Sequence, residues 1–394
     1  MKPNPSPKPL EAAAVALLAL TACTPNNPSG ETADALTVNS TETECTVSSA
    51  RAPSGPLTFR VTNAGDRVTE FYLLADDGLR IVSEVENIGP GITRDLVLNA
   101  RPGSYFTVCK PGMVGDGVGR SAFTVTDSGT PVSASGDEQE QIDHAIVNYK
   151  AYVKDQVDQL LTGTREFADA YAAGRDDEAR RLYPVVRMHF ERVEPVAESF
   201  GDLDPKLDAR EADLAEGDTW TGWHKAEKDL WPPSGHDALT PKERQDLADQ
   251  LVADTTTLHE SIPPLELTLD QLTNGAITLM DEVASGKVTG EEEFWSHTDL
   301  WDFRANVDGA KVLYDGVRDL LESRDPALVA TLDEKFDDLL AELDQYRTSP
   351  ADAPQRGIEY KFYDELTPEQ IRALSDKVNA LGEPLSRITS TLLA

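Results

Sequence analysis

"SGTPVSASGDEQE", residues 128–140, divides the chain into two parts that follow different periodicities. Upstream lie short runs such as "LTFRVTN" (57–63), "EFYLLAD" (70–76), "RDLVLNA" (94–100), "YFTVCK" (105–110) and "SAFTVTD" (121–127), separated by "SGP", "DDG" and "RPGS" turns. Such runs, rich in β-branched and aromatic residues, predict a small antiparallel β-sandwich over 36–127. Downstream, Ile142, Ile146, Tyr149, Val153 and Leu160 step by threes and fours or a multiple, as do Leu328, Leu332, Phe336, Leu339 and Leu343. That spacing puts apolar side chains on one face of a helix. "SFGDLDP", "PPSGHDALTP", "ESIPPLE", "ASGKVTGEE" and "TSPADAPQRG" break the text into several such helices, the last at about 367–392. The expected architecture is therefore multidomain, β followed by all-α: a sandwich, a Ser/Gly-rich linker at 128–137, and a helical bundle over 138–394.

The first residues set the compartment. Lys2 and Lys8 precede the apolar run "AAAVALLALTAC", which ends at Cys23 and is followed by polar "TPNNPSGETADA". A run this short reads as a secretory signal, since a spanning helix needs about 20 apolar residues. "LTAC" resembles a bacterial lipobox, which implies a signal at 1–23, lipid on Cys23, a tether at 24–35, and a protein held at the outer face of the cell membrane. The 394 residues carry 70 acidic against 36 basic side chains, a formal charge of -34. Nucleic acid is excluded as a partner by repulsion, and the excess carboxylate either attracts cations or serves the solubility of a secreted protein.

"GWHKAEKDLW" (222–231) places His224 and Glu227 three apart on a helix, so an imidazole nitrogen and a carboxylate oxygen can converge on one ion. "VRMHFERVEP" offers Glu191 and Glu194, again three apart, with His189 nearby. A bundle that brings the two segments together builds a mixed His and carboxylate set, suited to iron, zinc or manganese. Spacing alone favours a solvated or capping pair. The His-Glu-x-x-His of zinc proteases is missing, because Lys228 follows Glu227, so a metal-dependent peptidase has no motif behind it.

"GWHKAEKDLW" resembles the Gly-x-His-x-x-Glu signature of imelysin-like proteins. "RLYPVVRMHFERVEPVAESFGDLDPKLDARE" (181–211), "FWSHTDLWDFRANVDGAKVLYDGV" (294–317) and "GIEYKFYDELTPEQIRALSDKVNALGEPLSRI" (357–388) resemble the EfeO-type branch of that family. The resemblance covers most of 138–394. It implies an extracytoplasmic iron-binding component of an uptake system that also has a membrane permease and a haem-dependent peroxidase-like partner. It makes His224 and Glu227 metal ligands and Glu191 the carboxylate facing them, with His189 and Glu194 as further candidates. For His297 and Asp299 it leaves packing and capping beside coordination. No motif surrounds His144, His236 or His259, which read as surface residues.

The same resemblance implies that 36–127 is cupredoxin-like, and "YFTVCKPGM" is similar to the last strand and loop of a copper site. No histidine lies between Cys23 and His144, so a two-His, one-Cys blue-copper set cannot be assembled. Two readings of Cys45 and Cys109 remain. Either they form a disulfide across the sandwich, as an oxidising compartment favours, or they join Glu70, and Met113 as a further donor, as ligands for a softer or redox-active ion such as copper. The resemblance places Cys45, Glu70 and Cys109 together. The expected function is capture of ferrous or ferric iron for delivery to a permease, with an imelysin-type peptidase as the alternative.

Overall fold

Among the described residues, runs rich in β-branched and aromatic side chains form nine strands: β1 (Leu36–Ser40), β2 (Cys45–Val47), β3 (Arg51–Pro53), β4 (Gly55–Asn63), β5 (Thr69–Leu74), β6 (Ile81–Ile88), β7 (Thr93–Ala100), β8 (Gly103–Cys109) and β9 (Val118–Thr126). This computed structural model describes Met1 and residues 35–113, 117–129, 138–214, 217, 219–350, 353 and 357–393. The apolar leader, Cys23, all of the 24–35 tether except Ala35, and nearly all of the 128–137 linker lie outside the described residues.

The strands form two sheets, ordered β2-β1-β4-β7 and β3-β9-β8-β5-β6. The sandwich is mixed rather than purely antiparallel, because β1 runs parallel to β4 and β3 parallel to β9. Phe59 lies between Phe71 and Phe123, with ring centroids 5.2 and 5.3 Å away, at the centre of the sandwich. Cys45 on β2 and Cys109 on β8 are joined by a disulfide, which ties one sheet to the other. With the cysteines 64 residues apart, the chain-entropy account assigns the link about 4 kcal/mol. Gly119, at φ +62°, passes so close that a Cβ there would lie 2.4 Å from the Cys45 backbone nitrogen.

β5 is buried on both faces. Phe71 and Leu73 point into the sandwich core, whereas Tyr72 and Leu74 pack with Ile81, Val108 and Ala151 of the first helix. The alternation of a strand thus sends Glu70 away from the disulfide and toward the helical domain.

The helices are α1 (Glu138–Ala172), α2 (Asp176–Glu191), α3 (Leu203–Asp208), α4 (Trp223–Leu230), α5 (Pro241–Ser261), α6 (Leu269–Ser285), α7 (Asp299–Arg324), α8 (Pro326–Asp344), α9 (Pro368–Leu385) and α10 (Ile388–Leu393). Three of them start in capping boxes, Thr240 with Glu243, Thr268 with Gln271 and Thr367 with Gln370, each satisfying backbone N–H groups that the first turn leaves unpaired. α1 packs on α2, α5 and α7, and α7 packs on α2, α6 and α8. No helix among the described residues is long and apolar enough to cross a membrane. The sandwich sits directly on α1: Lys110 pairs with Asp155, and Lys154 Nζ lies 3.1 Å from Glu70 Oε1.

Candidate metal centre

The centre is assembled where α3 ends and α4 begins. Gly222 caps α4 with φ 84° and ψ -166°, a backbone region that only glycine occupies without strain. A Cβ there would lie 2.3 Å from the Leu207 carbonyl oxygen and 2.6 Å from that of Lys206. The two helix ends therefore abut, and Asp208 is brought beside His224. His224 Nε2 is 3.5 Å from Asp208 Oδ1 and 3.6 Å from Glu292 Oε1, while its Nδ1 is 3.2 Å from Glu227 Oε2. Wholly buried, His224 Nε2 has no hydrogen-bond partner among the described residues.

Glu227 is fixed from the other side. Its Oε1 accepts hydrogen bonds from the backbone N–H of Trp295 at 2.9 Å and of Ser296 at 2.7 Å, which docks the segment 291–297 onto α4. Glu293 in that segment accepts from Ser296 Oγ at 2.9 Å and from the Tyr183 hydroxyl at 3.3 Å, and it lies 2.6 Å from Arg187 Nε. Two overlapping triads result, Asp208 with His224 and Glu292, and His224 with Glu227 and Glu293; within each, one donor atom per residue lies within 4.8 Å of the others.

Two buried cations border the triads. Arg187 pairs with Asp208, with Glu191 at 2.5 Å and with Asp302 at 3.3 Å. Lys287 Nζ is 2.8 Å from both Glu191 Oε2 and Glu194 Oε2. The carboxylates still outnumber these cations, and the imbalance moves their proton affinities. Burial pushes Glu194, Glu293 and Asp302 well above the usual carboxylate range, and it lifts Asp299 to about 7. Burial acts the same way on Glu292, but Lys287, His224 and Arg187 overcome it and hold that carboxyl well below the range. For His224, burial and the Arg187 charge oppose protonation; Glu227, Glu292 and Asp208 override both and raise it to about 10. Protons thus stand where additional positive charge is wanted, and an incoming metal ion can exchange with them. An imidazole with several carboxylates suits iron, manganese or zinc.

The structure brings His224 and Glu227 together as their spacing requires. The carboxylates beside them, however, are Asp208, Glu292 and Glu293, not Glu191. Glu191 is fully buried and engaged by Arg187 and Lys287, so it joins neither triad. Glu194 is likewise held by Lys287 and by Asn306 Nδ2 at 2.6 Å. His189 lies on a different face of α2, with Nδ1 2.9 Å from Gln156 Oε1 on α1. Asp299 has a packing role, its Oδ1 accepting from the Glu293 backbone N–H at 3.1 Å, and the His297 carbonyl accepts from Tyr363. His144 is exposed and His236 half-buried. His259 is half-buried, its Nε2 2.5 Å from buried Asp158.

Sequence reasoning passed over Asp208, Glu292, Glu293 and Arg187. The available signal was the acidic run "EEEF" (291–294) immediately before "WSHTDLWDF". In the sandwich, the cysteine sulfurs are consumed by their bond to each other, and Glu70 accepts from Tyr72 at 2.6 Å and pairs with Lys154. The Cys45, Glu70 and Cys109 ligand set is therefore not formed, and Met113 occupies a turn at Pro111–Met113. A surface cleft walled by Arg210, Asp213, Glu292, Phe294 and Trp295 shares Glu292 with the helical centre.

Comparison with known proteins gives two family matches, imelysin over residues 145–388 and a cupredoxin-like domain over residues 12–118. An Efem/EfeO family lipoprotein of Staphylococcus haemolyticus is 42% identical over 259 residues, 65% of this chain and 86% of that protein. Iron uptake system component EfeO of Escherichia coli O157:H7 is 35% identical over 358 residues, 90% of each chain, and the protein of that name in Shigella flexneri has the same identity and coverage.

Proposed function

The chain belongs to the EfeO-type branch of the imelysin family, and from that premise we propose that it captures iron outside the cytoplasm and hands it to a membrane permease of the same uptake system. The observation that carries the proposal is a buried imidazole facing more carboxylates than the neighbouring cations neutralise. A formal charge of -34 gathers cations near the surface. The cleft at Glu292 and Trp295 admits them, and His224 with the anchored Glu227 forms the fixed part of the site. Asp208, Glu292 and Glu293 complete it and are drawn off their arginine and histidine partners as the ion enters. Iron here is cargo, bound and released unchanged, so the chain acts as a carrier rather than an enzyme.

Lipid on Cys23 would keep the carrier at the outer face of the membrane, near the permease and a haem peroxidase-like partner. The "LTAC" sequence and the lipoprotein name of the staphylococcal relative support this placement. Radioiron uptake by cells carrying Glu227→Ala tests the carrier role. Uptake should fall to the level of cells lacking the protein at equal protein abundance, and wild-type uptake would refute it. Cys23→Ser should move the protein out of the membrane fraction; retention there would refute the anchor.

A further inference from the structure

Lys287 opens a short 3-10 turn, Lys287–Thr289, directly after Gly286 ends α6. Its ammonium is nearly buried and touches Glu191 and Glu194, and it also lies 3.8 Å from Glu292 Oε1. That same oxygen is 3.6 Å from His224 Nε2. Glu292 is therefore shared between the candidate metal centre and a cation tethered to the fold. Arg187 Nη2 lies 3.9 Å from that oxygen and Arg210 Nη1 lies 3.7 Å from Glu292 Oε2, but Arg187 is fully enclosed and pairs more closely with Glu191, Asp208, Glu293 and Asp302, so it is a fixed part of the framework, and Arg210 is bound to Asp213 at 2.8 Å. Lysine differs in having a compact charge on a flexible four-carbon stem. Glu194, one of its anchors, lines a second surface cleft with Asp204, Asn274 and Glu282, and Glu194 is absent from both triads around His224, so the ammonium keeps a carboxylate partner that the ion does not share.

We propose that Lys287 sets the rate of cargo release, competing with the captured ion for Glu292 and taking over that carboxylate as the ion leaves. The inference rests on the cargo site being the His224 cluster. Two positive charges that share a carboxylate in a largely dry interior repel strongly, so the site holds its ion less tightly than the same carboxylates would without Lys287. A carrier needs that weakness. If Lys287 only neutralised Glu191 and Glu194, its loss would weaken the fold and leave metal release unchanged or faster. The sign of the effect separates the two roles.

The test uses the full chain loaded with ferrous iron under anaerobic conditions, with release followed by transfer to a chromogenic ferrous chelator in excess. Lys287→Met keeps the length of the side chain and removes its charge; release should slow by about tenfold or more. Lys287→Arg retains the charge and should release at close to the wild-type rate. Because Lys287→Met strands two buried carboxylates, the double variant Lys287→Met, Glu194→Gln is measured beside it and should also release slowly. Release as fast as wild type in a well-folded Lys287→Met or double variant overturns the inference. Wild-type affinity in a His224→Ala, Glu227→Ala variant would instead show that the cargo lies elsewhere, and the inference would fall with that reading.

Discussion

Replacing Gly222 by alanine tests whether the α3–α4 junction positions His224. The glycine sits at φ 84° and ψ -166°, where a residue with a Cβ pays about 1–3 kcal/mol in backbone strain. The new Cβ would also lie 2.3 Å from the Leu207 carbonyl oxygen. Ordinary contact begins near 3.4 Å, so the helix ends must part by about an ångström, and backbone cannot swing aside as a side chain can. The combined cost is about 3–5 kcal/mol. At 2–4 °C per kcal/mol for a domain of this size, the melting temperature should fall by roughly 6–20 °C. Parting α3 from α4 also draws Asp208 away from His224, now 3.5 Å apart, so metal affinity should fall with stability. Gly201→Ala is the control: its φ of +59° carries the left-handed penalty, but no atom lies within 4 Å of the new Cβ, and the cost stays at about 1–2 kcal/mol. Thermal unfolding by circular dichroism, paired with ferrous titration, reads both effects. The reasoning is refuted if Gly222→Ala melts no lower than Gly201→Ala and binds metal as tightly as wild type.

Three further outcomes follow from the structure. Replacing Cys45 and Cys109 together by alanine should cost the sandwich about 4 kcal/mol while leaving metal stoichiometry unchanged, as read by calorimetry; loss of a bound ion would restore the thiolate-ligand reading. Metal affinity should fall as pH drops, by about tenfold per unit for each proton displaced, because His224 holds its proton up to about 10 and must lose it to ligate; a flat profile between pH 5 and 8 by competition titration would contradict this. Asp299, lifted by burial to about 7, keeps its proton in the fold where the unfolded carboxyl has lost it. Its contribution is therefore intact at low pH and fades as pH rises from about 4 through 7, by at most about 4 kcal/mol. Asp299→Asn should flatten that part of the stability–pH curve, and an unchanged slope in chemical denaturation would refute the assignment.

The change of period across residues 128–140 was enough to separate strand from helix, because side-chain alternation and helical stepping are local properties of the chain. The His224 and Glu227 pair was legible for the same reason, since residues three apart on one helix meet whatever surrounds them. The rest of the centre depends on tertiary approach. Asp208 arrives through the close contact at Gly222, and Glu292 and Glu293 arrive on an irregular segment that Glu227 itself pins through the Trp295 and Ser296 amides. Glu191 has suitable spacing, yet Arg187 lies one helical turn before it and claims its carboxylate. Glu70 was grouped with the cysteines by the family resemblance. Register pairs Phe71 with Cys109, so the adjacent Glu70 must point to the opposite face, onto α1.

The central claim is that the helical centre around His224 holds the iron. Anaerobic calorimetric titration of the protein with ferrous iron, beside the His224→Ala, Glu227→Ala variant, addresses it most directly. The account predicts tight binding by the wild-type protein that is lost in a variant still folded by circular dichroism. Binding of equal affinity in both proteins, or in neither, would contradict it.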